Sequence, residues 1–181
     1  MSLSARTPLA EVAVVVGDAL RRHGIRAVLT GGACACLHTR GRYVSRDVDY
    51  VLPAETVLSM LDAAMAAIGF RRDGSRYIHS KCKFFVEFPA GPLAIGQDSS
   101  PRPVLIRRGS LRTLSLSATD ACRDRLAAFY HWGDRQALNA AIQIAIANRI
   151  GIQRIRAWSV AEGATARFEE FLVAVKAGRR R

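Results

Sequence analysis

Leu9, Val12, Ala13, Val16 and Leu20 recur at helical spacing and predict a helix that ends at Gly24. Thr7-Pro8 ahead of them supplies an N-cap followed by proline at the first helical position. The pattern then shortens. Arg26 to Thr30 is a short buried strand that runs into Gly31-Gly32, and residues 33–39 continue as one or two helical turns. Asp47 to Leu52 forms the next strand. Pro53 opens a helix carrying Val57, Leu58, Leu61, Ala64, Met65 and Ile68, and Gly69 closes it. Arg76 to His79 and Lys83 to Phe88 pair as a hairpin, and Val104 to Ile106 makes a further strand. Near residue 110 the pattern turns wholly helical, with helices over about 119–131, 134–149, 153–162 and 165–177. Ala141, Ile144 and Ala145, then Phe168, Phe171, Leu172 and Val175, mark their inward faces. The expected fold is α/β (α+β): a mixed sheet of about five strands with flanking helices over residues 1–110, and a C-terminal α-helical bundle over residues 111–181 packed on it.

Composition narrows the class. Half of the 181 residues are apolar, enough to build a packed core. No apolar run approaches the roughly 20 residues of a membrane span. The N-terminal MSLSARTPLAEV lacks the charged-then-apolar order of a secretory signal, so a cytoplasmic chain away from membranes is expected. Four cysteines, none in a CxxC pair, are too few for a disulfide scaffold of this length. Cys34-x-Cys36-x-His38 falls on the helical turns, where i and i+2 face different ways. These residues and His131 are therefore assigned structural roles rather than zinc.

Charge points outward. Lys and Arg number 27 against 15 acids, a formal net charge of +12, and arginine carries nearly all of it. Such an excess favours a polyanionic partner, through steering, counterion release and bidentate phosphate contacts. Arg179-Arg180-Arg181 is expected to be a mobile tail and is not counted as a site.

Candidate chemistry gathers at three places. Gly31-Gly32 lies between a strand and a helix, where amides with no intervening Cβ and a helix N-terminus suit a phosphate. Asp47 and Asp49 are i and i+2 on a strand, so both project from one face while Val48 faces the other. Two carboxylates so close repel unless a cation lies between them, and oxygen ligands of this hardness select Mg²⁺ or Mn²⁺. Glu87 is the third. It interrupts the apolar run Phe84-Phe85-Val86-Glu87-Phe88, where a carboxylate needs a compensating charge. That charge is either an Arg or Lys on an exposed strand face, or metal ions shared with Asp47 and Asp49 if the two strands are neighbours.

Thr30-Gly31-Gly32, then Ser45-Arg46-Asp47-Val48-Asp49-Tyr50, then Val86-Glu87-Phe88 resembles the hG[GS]…Dh[DE]h…h[DE]h signature of the nucleotidyltransferase superfamily, with its DNA polymerase beta-like fold. Arg42-x-x-Ser45-x-Asp47-x-Asp49 further resembles the AbiEii-like nucleotidyltransferases, the toxin arm of type IV toxin–antitoxin systems. The resemblance covers about residues 25–90. Two departures are Glu87, where aspartate is commoner, and a generous gap between Gly32 and Asp47. The resemblance implies that Gly31 and Gly32 hold the NTP phosphates and that Asp47, Asp49 and Glu87 bind two divalent metals. It also implies a basic residue on a helix after the core, usually lysine, against the triphosphate; here Arg123 or Arg125 fills that place. An acid opening a later helix completes the family's site, and Asp134 matches it, although Gly133-Asp134 before a helical run is also an ordinary N-cap. Tyr130 and Trp132 can stack on a base or fill the core.

The expected activity is metal-dependent transfer of a nucleoside monophosphate from an NTP to an acceptor, releasing pyrophosphate. Asp47 and Asp49 hold Mg²⁺ or Mn²⁺, Glu87 is a general base or further ligand, and Asp134 completes the site. Gly31, Gly32, Arg42, Ser45, Arg46 and Arg123 bind the nucleotide. The basic excess points to RNA, such as a tRNA end, as acceptor. The resemblance alone implies a bacterial toxin with a cognate antitoxin. Rival readings are transfer to a protein or small molecule, and a catalytically silent nucleic-acid-binding or antitoxin module of the same fold.

Overall fold

The computed structural model describes residues 3–180; Met1, Ser2 and Arg181 lie outside it, and with them the ends of the expected leaderless start and arginine tail. In chain order the elements are α1 (Leu9–Arg22), β1 (Val28–Thr30), α2 (Gly31–His38), β2 (Asp47–Val51), α3 (Leu58–Ala66), β3 (Phe70–Asp73), β4 (Arg76–His79), β5 (Phe85–Glu87), β6 (Val104–Arg108), β7 (Leu111–Ser115), α4 (Ala118–Trp132), α5 (Arg135–Ala147), α6 (Ile152–Ala161) and α7 (Thr165–Arg179). The seven strands make one mixed sheet in the order β3-β4-β5-β2-β1-β7-β6.

Two of these strands exceed the expected five, and both hide from a hydrophobic pattern. β3 buries only Phe70 of its four residues. β7 turns Thr113 and Ser115 inward, so its buried face is polar in sequence. Thr113 is satisfied there by Tyr50 Oη at 2.7 Å, which also donates to the Ala13 carbonyl of α1 at 2.7 Å. β7 pairs in parallel with β1, carrying the sheet past residue 110.

Val48, Tyr50, Tyr77 and Val86 point to the side of the sheet that α1, α2 and α3 cover, and all four are buried. The core continues through α2 into the C-terminal helices, where Cys122, Leu126, Ala141, Ile144, Phe168 and Phe171 are sealed from solvent. Fully burying each of the larger apolar side chains contributes about 1.5–3 kcal/mol. Cys34 Sγ lies 3.2 Å from Ser115 Oγ, and His38 Nε2 lies 2.9 Å from the Leu116 carbonyl oxygen. Burial pushes the Cys34 thiol up to about 12.

Local ends differ in three places. Pro8 is the N-cap of α1 rather than its first residue. Thr56 closes a turn on the Pro53 carbonyl, so α3 starts only at Leu58. Arg179 is no free tail: its Nη2 donates to the Ala145 carbonyl of α5 at 2.8 Å. Among the described residues, no helix is long and apolar enough to cross a membrane.

Candidate active site

β2 and β5 are adjacent and parallel, with Asp49 directly opposite Glu87 and Asp47 opposite Phe85. Opposite residues share a face, and residues two apart on a strand share it too. One carboxylate oxygen from each of Asp47, Asp49 and Glu87 therefore lies within 4.8 Å of the other two. Val48 and Val86, which alternate with them, are fully buried on the reverse side.

The glycine turn presses on this cluster. β1 pairs antiparallel with β2 so that Thr30 lies opposite Asp49. Gly31 follows at φ +65°, and a Cβ built on it would overlap Asp49 Oδ2. A side chain at Gly31 would thus strain the backbone by about 1–2 kcal/mol and displace the carboxylate. A Cβ on Gly32 would overlap Ser45, whose hydroxyl donates to Asp47 Oδ1 at 2.6 Å.

Burial, and after it the Asp47 charge, push the Asp49 carboxyl up to about 7; Glu87 and Asp124 add to the effect and Arg125 opposes it. Among the described residues, no Lys or Arg forms an ion pair with Asp47, Asp49 or Glu87. Arg76 is the cross-strand neighbour of Glu87, yet it lies over the Phe85 ring at 5.2 Å and beside Asp73 at 3.9 Å. A purely ionic partner for Glu87 is therefore not made. Three converging, uncompensated carboxylates are the donor set that a hard divalent cation fits.

Helix α4 closes one side of the site with residues that sequence reasoning did not separate. The Gly31 amide donates to Asp124 Oδ2 at 3.2 Å, and the same oxygen accepts from Arg125 Nη2 at 2.8 Å. Burial works against the Arg125 charge, but Asp124 outweighs it and holds the guanidinium above its usual range. Arg125, which also bears on Asp49, is the cation of α4 that belongs to the site.

Arg123 does not. Its side chain is buried and spent on other acids, reaching Asp120 Oδ1 at 2.9 Å and Asp98 Oδ2 at 2.5 Å, with its guanidinium 4.9 Å from the Trp158 ring. Residues 123 and 125 lie two positions apart on a helix and so face different ways. Arg42 and Arg46 both precede β2, exposed, and Ser45 between them is half-buried. Asp134 caps α5, accepting from the Gln136 and Ala137 amides at 2.8 and 3.0 Å. It also bears on the site through Tyr43: burial pushes that hydroxyl up, Arg125 opposes, and Asp134 and Asp47 add to the rise. Tyr43 and Asp124 carry no motif that would have marked them in sequence. Tyr130 stacks on Trp158 at 5.5 Å and hydrogen-bonds Ser159, so it is core, whereas Trp132 is 81% exposed.

No protein-family model matches the chain, and no curated protein does so either. A solved structure shares its fold. The crystal structure of an antigenic nucleotidyltransferase-like protein from Paracoccidioides brasiliensis superposes with a TM-score of 0.64 at 15% identity, over 96% of this chain and 94% of that one.

Proposed function

We propose that this chain transfers a nucleoside monophosphate from an NTP to an acceptor hydroxyl. The convergence of Asp47, Asp49 and Glu87 over the glycine turn carries the reading. The shared fold with a nucleotidyltransferase-like protein supports it. The acceptor oxygen attacks the α-phosphorus, the bond from that phosphorus to the α–β bridging oxygen breaks, and pyrophosphate leaves. Asp47, oriented by the Ser45 hydroxyl, and Asp49 hold Mg²⁺ or Mn²⁺. Glu87 completes the ligand set and takes the acceptor's proton. Bound divalent cations supply charge neutralisation at the phosphates and at the departing pyrophosphate. Gly31 and Gly32 leave room for the phosphates, and Arg125, Arg42 and Arg46 offset their charge. Asp134 serves as the cap of α5, close enough for its charge to be felt at the Tyr43 hydroxyl.

A net charge of +12 supports RNA, including a tRNA end, as the acceptor. The toxin role, with a cognate antitoxin and a cytoplasmic setting, rests on the resemblance of the Arg42 to Asp49 segment to AbiEii-like enzymes. The catalytic residues separate into residues 1–110, with the helices beyond supplying Arg125 and the cleft wall.

Incubation with α-labelled NTPs, Mg²⁺ and total RNA tests the reading. Wild type is expected to label RNA, and Asp47→Ala to label it at least about 10³-fold more slowly. Label on protein or a small molecule instead would replace RNA as the acceptor. No transfer together with no Mg²⁺-dependent NTP binding would leave the silent module.

A further inference from the structure

Beyond the carboxylates, α4 forms the floor of a second feature. Asp124, Ala128 and His131 lie at i, i+4 and i+7, along roughly 10 Å of one helix face. They line a cleft of about 440 Å³ with Arg125, Trp132, Gln97 and Glu162. One end of the cleft holds the Asp124–Arg125 pair that touches the glycine turn. The other end holds Glu162, whose side chain is 2% exposed.

Glu162 is only half satisfied. Its Oε1 accepts the Gln97 amide at 2.8 Å, and a Cβ on Gly96 would overlap the carboxylate, so the 95–98 loop is folded against it. That loop is pinned through Asp98 to Arg123 and through the Ile95 carbonyl, which accepts from Trp158 Nε1 at 3.3 Å. Glu162 Oε2 is buried and has no hydrogen-bond partner; His131 Nε2 lies 3.3 Å away without hydrogen-bond geometry. An unpartnered buried carboxylate oxygen is costly, and one that lines a cleft awaits a donor. Trp132, at the same end, spreads an indole into solvent with 81% of its surface exposed.

Resting on the nucleotidyl-transfer reading, we infer that this cleft receives the base of the incoming NTP, with Glu162 accepting from an exocyclic amino group and Trp132 stacking on the ring. The phosphate end of the cleft faces Arg125 and the glycine turn, so the nucleoside extends along α4 toward Glu162. Adenine, cytosine and guanine each offer an amino N–H to a carboxylate. Uracil offers only an N–H flanked by two carbonyls, which the carboxylate repels. The site therefore discriminates against uridine nucleotides.

Equilibrium binding of α,β-methylene analogues of the four NTPs, with Mg²⁺, tests this without turnover. Wild type is expected to bind an amino-bearing analogue most tightly and the UTP analogue at least tenfold more weakly. Glu162→Gln keeps an oxygen for the Gln97 amide but presents a donor to the base. It should remove the handicap of the UTP analogue, bringing it level with or above the amino-bearing ones, while Mg²⁺-dependent binding persists. Trp132→Ala, at an exposed position, should weaken all four by about tenfold or more and leave their order unchanged. Equal binding of the four by wild type, or discrimination that survives Glu162→Gln, would overturn the inference and leave the transfer reading standing. Absence of Mg²⁺-dependent binding by every analogue would instead remove the transfer reading, and this inference with it.

Discussion

Asp49→Asn is expected to raise the melting temperature of the metal-free protein at pH 8 while lowering nucleotidyl transfer by roughly 10³-fold or more. The two effects share a cause. Burial and the neighbouring Asp47 charge hold the Asp49 carboxyl near 7, against 3.8 in its ordinary state. A carboxyl whose folded value lies above its unfolded one stabilises the fold fully below pH 4, and that contribution is lost as pH rises through 7. Metal-free wild type should therefore weaken between about pH 4 and 7 by an amount on the order of a few kcal/mol. Asn carries no charge and escapes the loss, so its advantage at pH 8 corresponds to roughly 5–10 °C. Mg²⁺ should stabilise wild type as the pH rises toward and beyond 7, because binding needs the ionised carboxylates, and should leave Asp49→Asn nearly unmoved. Thermal melts of both proteins across pH 4 to 8, with and without Mg²⁺, check the stability effects, and transfer of label from α-labelled NTPs checks the loss of activity. A variant less stable than wild type at pH 8 would mean that Asp49 is an ordinary, satisfied side chain.

Arg123→Met is expected to cost about 3–5 kcal/mol of stability. Asp120 and Arg123 are almost fully enclosed, and without the guanidinium Asp120 keeps the Ser117 hydroxyl at 2.9 Å and, as its one ionic partner among the described residues, the half-exposed Arg154 at 3.0 Å. Asp98, held well below the usual carboxylate range by Ser100 and then Arg123, would lose its hold on α4 and release the 95–98 loop. Urea unfolding should show a markedly lower midpoint, yet the folded fraction should keep Mg²⁺-dependent NTP binding at its phosphate end. Arg125→Gln should behave in the opposite way, with weaker NTP binding and a much smaller change in stability. If Arg123→Met folded normally and lost NTP binding, the assignment of the two arginines would have to be exchanged.

The contrast between these arginines shows where sequence stops informing. Periodicity revealed every helix of the C-terminal half, because the inward positions of α4 to α7 are apolar and regularly spaced. It revealed β2 and β5 for the same reason, with Val48, Tyr50 and Val86 alternating against acids. It missed β7, whose inward residues are Thr113 and Ser115, and β3, which buries one side chain. The convergence of the acids was legible as a condition, that two strands be neighbours, and the β2–β5 pairing meets it. Which of Arg123 and Arg125 faces the site depends on the rotation of α4 about its axis, and the partner that Arg123 meets on the other side, Asp98, is twenty-five residues away in the chain. Glu162 gave no signal at all, since a glutamate at the end of a helix is a common surface pattern, whereas Trp132 was legible only as an aromatic that stacks on a base or fills the core. Only the fold against the 95–98 loop makes Glu162 buried and half-partnered.

Anomalous diffraction from crystals equilibrated with millimolar Mn²⁺ and a non-hydrolysable NTP tests the whole account most directly. At least one manganese peak should fall within coordination distance of oxygens from β2 and β5 together, with the triphosphate on the glycine side. An empty carboxylate pocket under those conditions, or a Glu87 side chain turned to Arg76 instead, would contradict it.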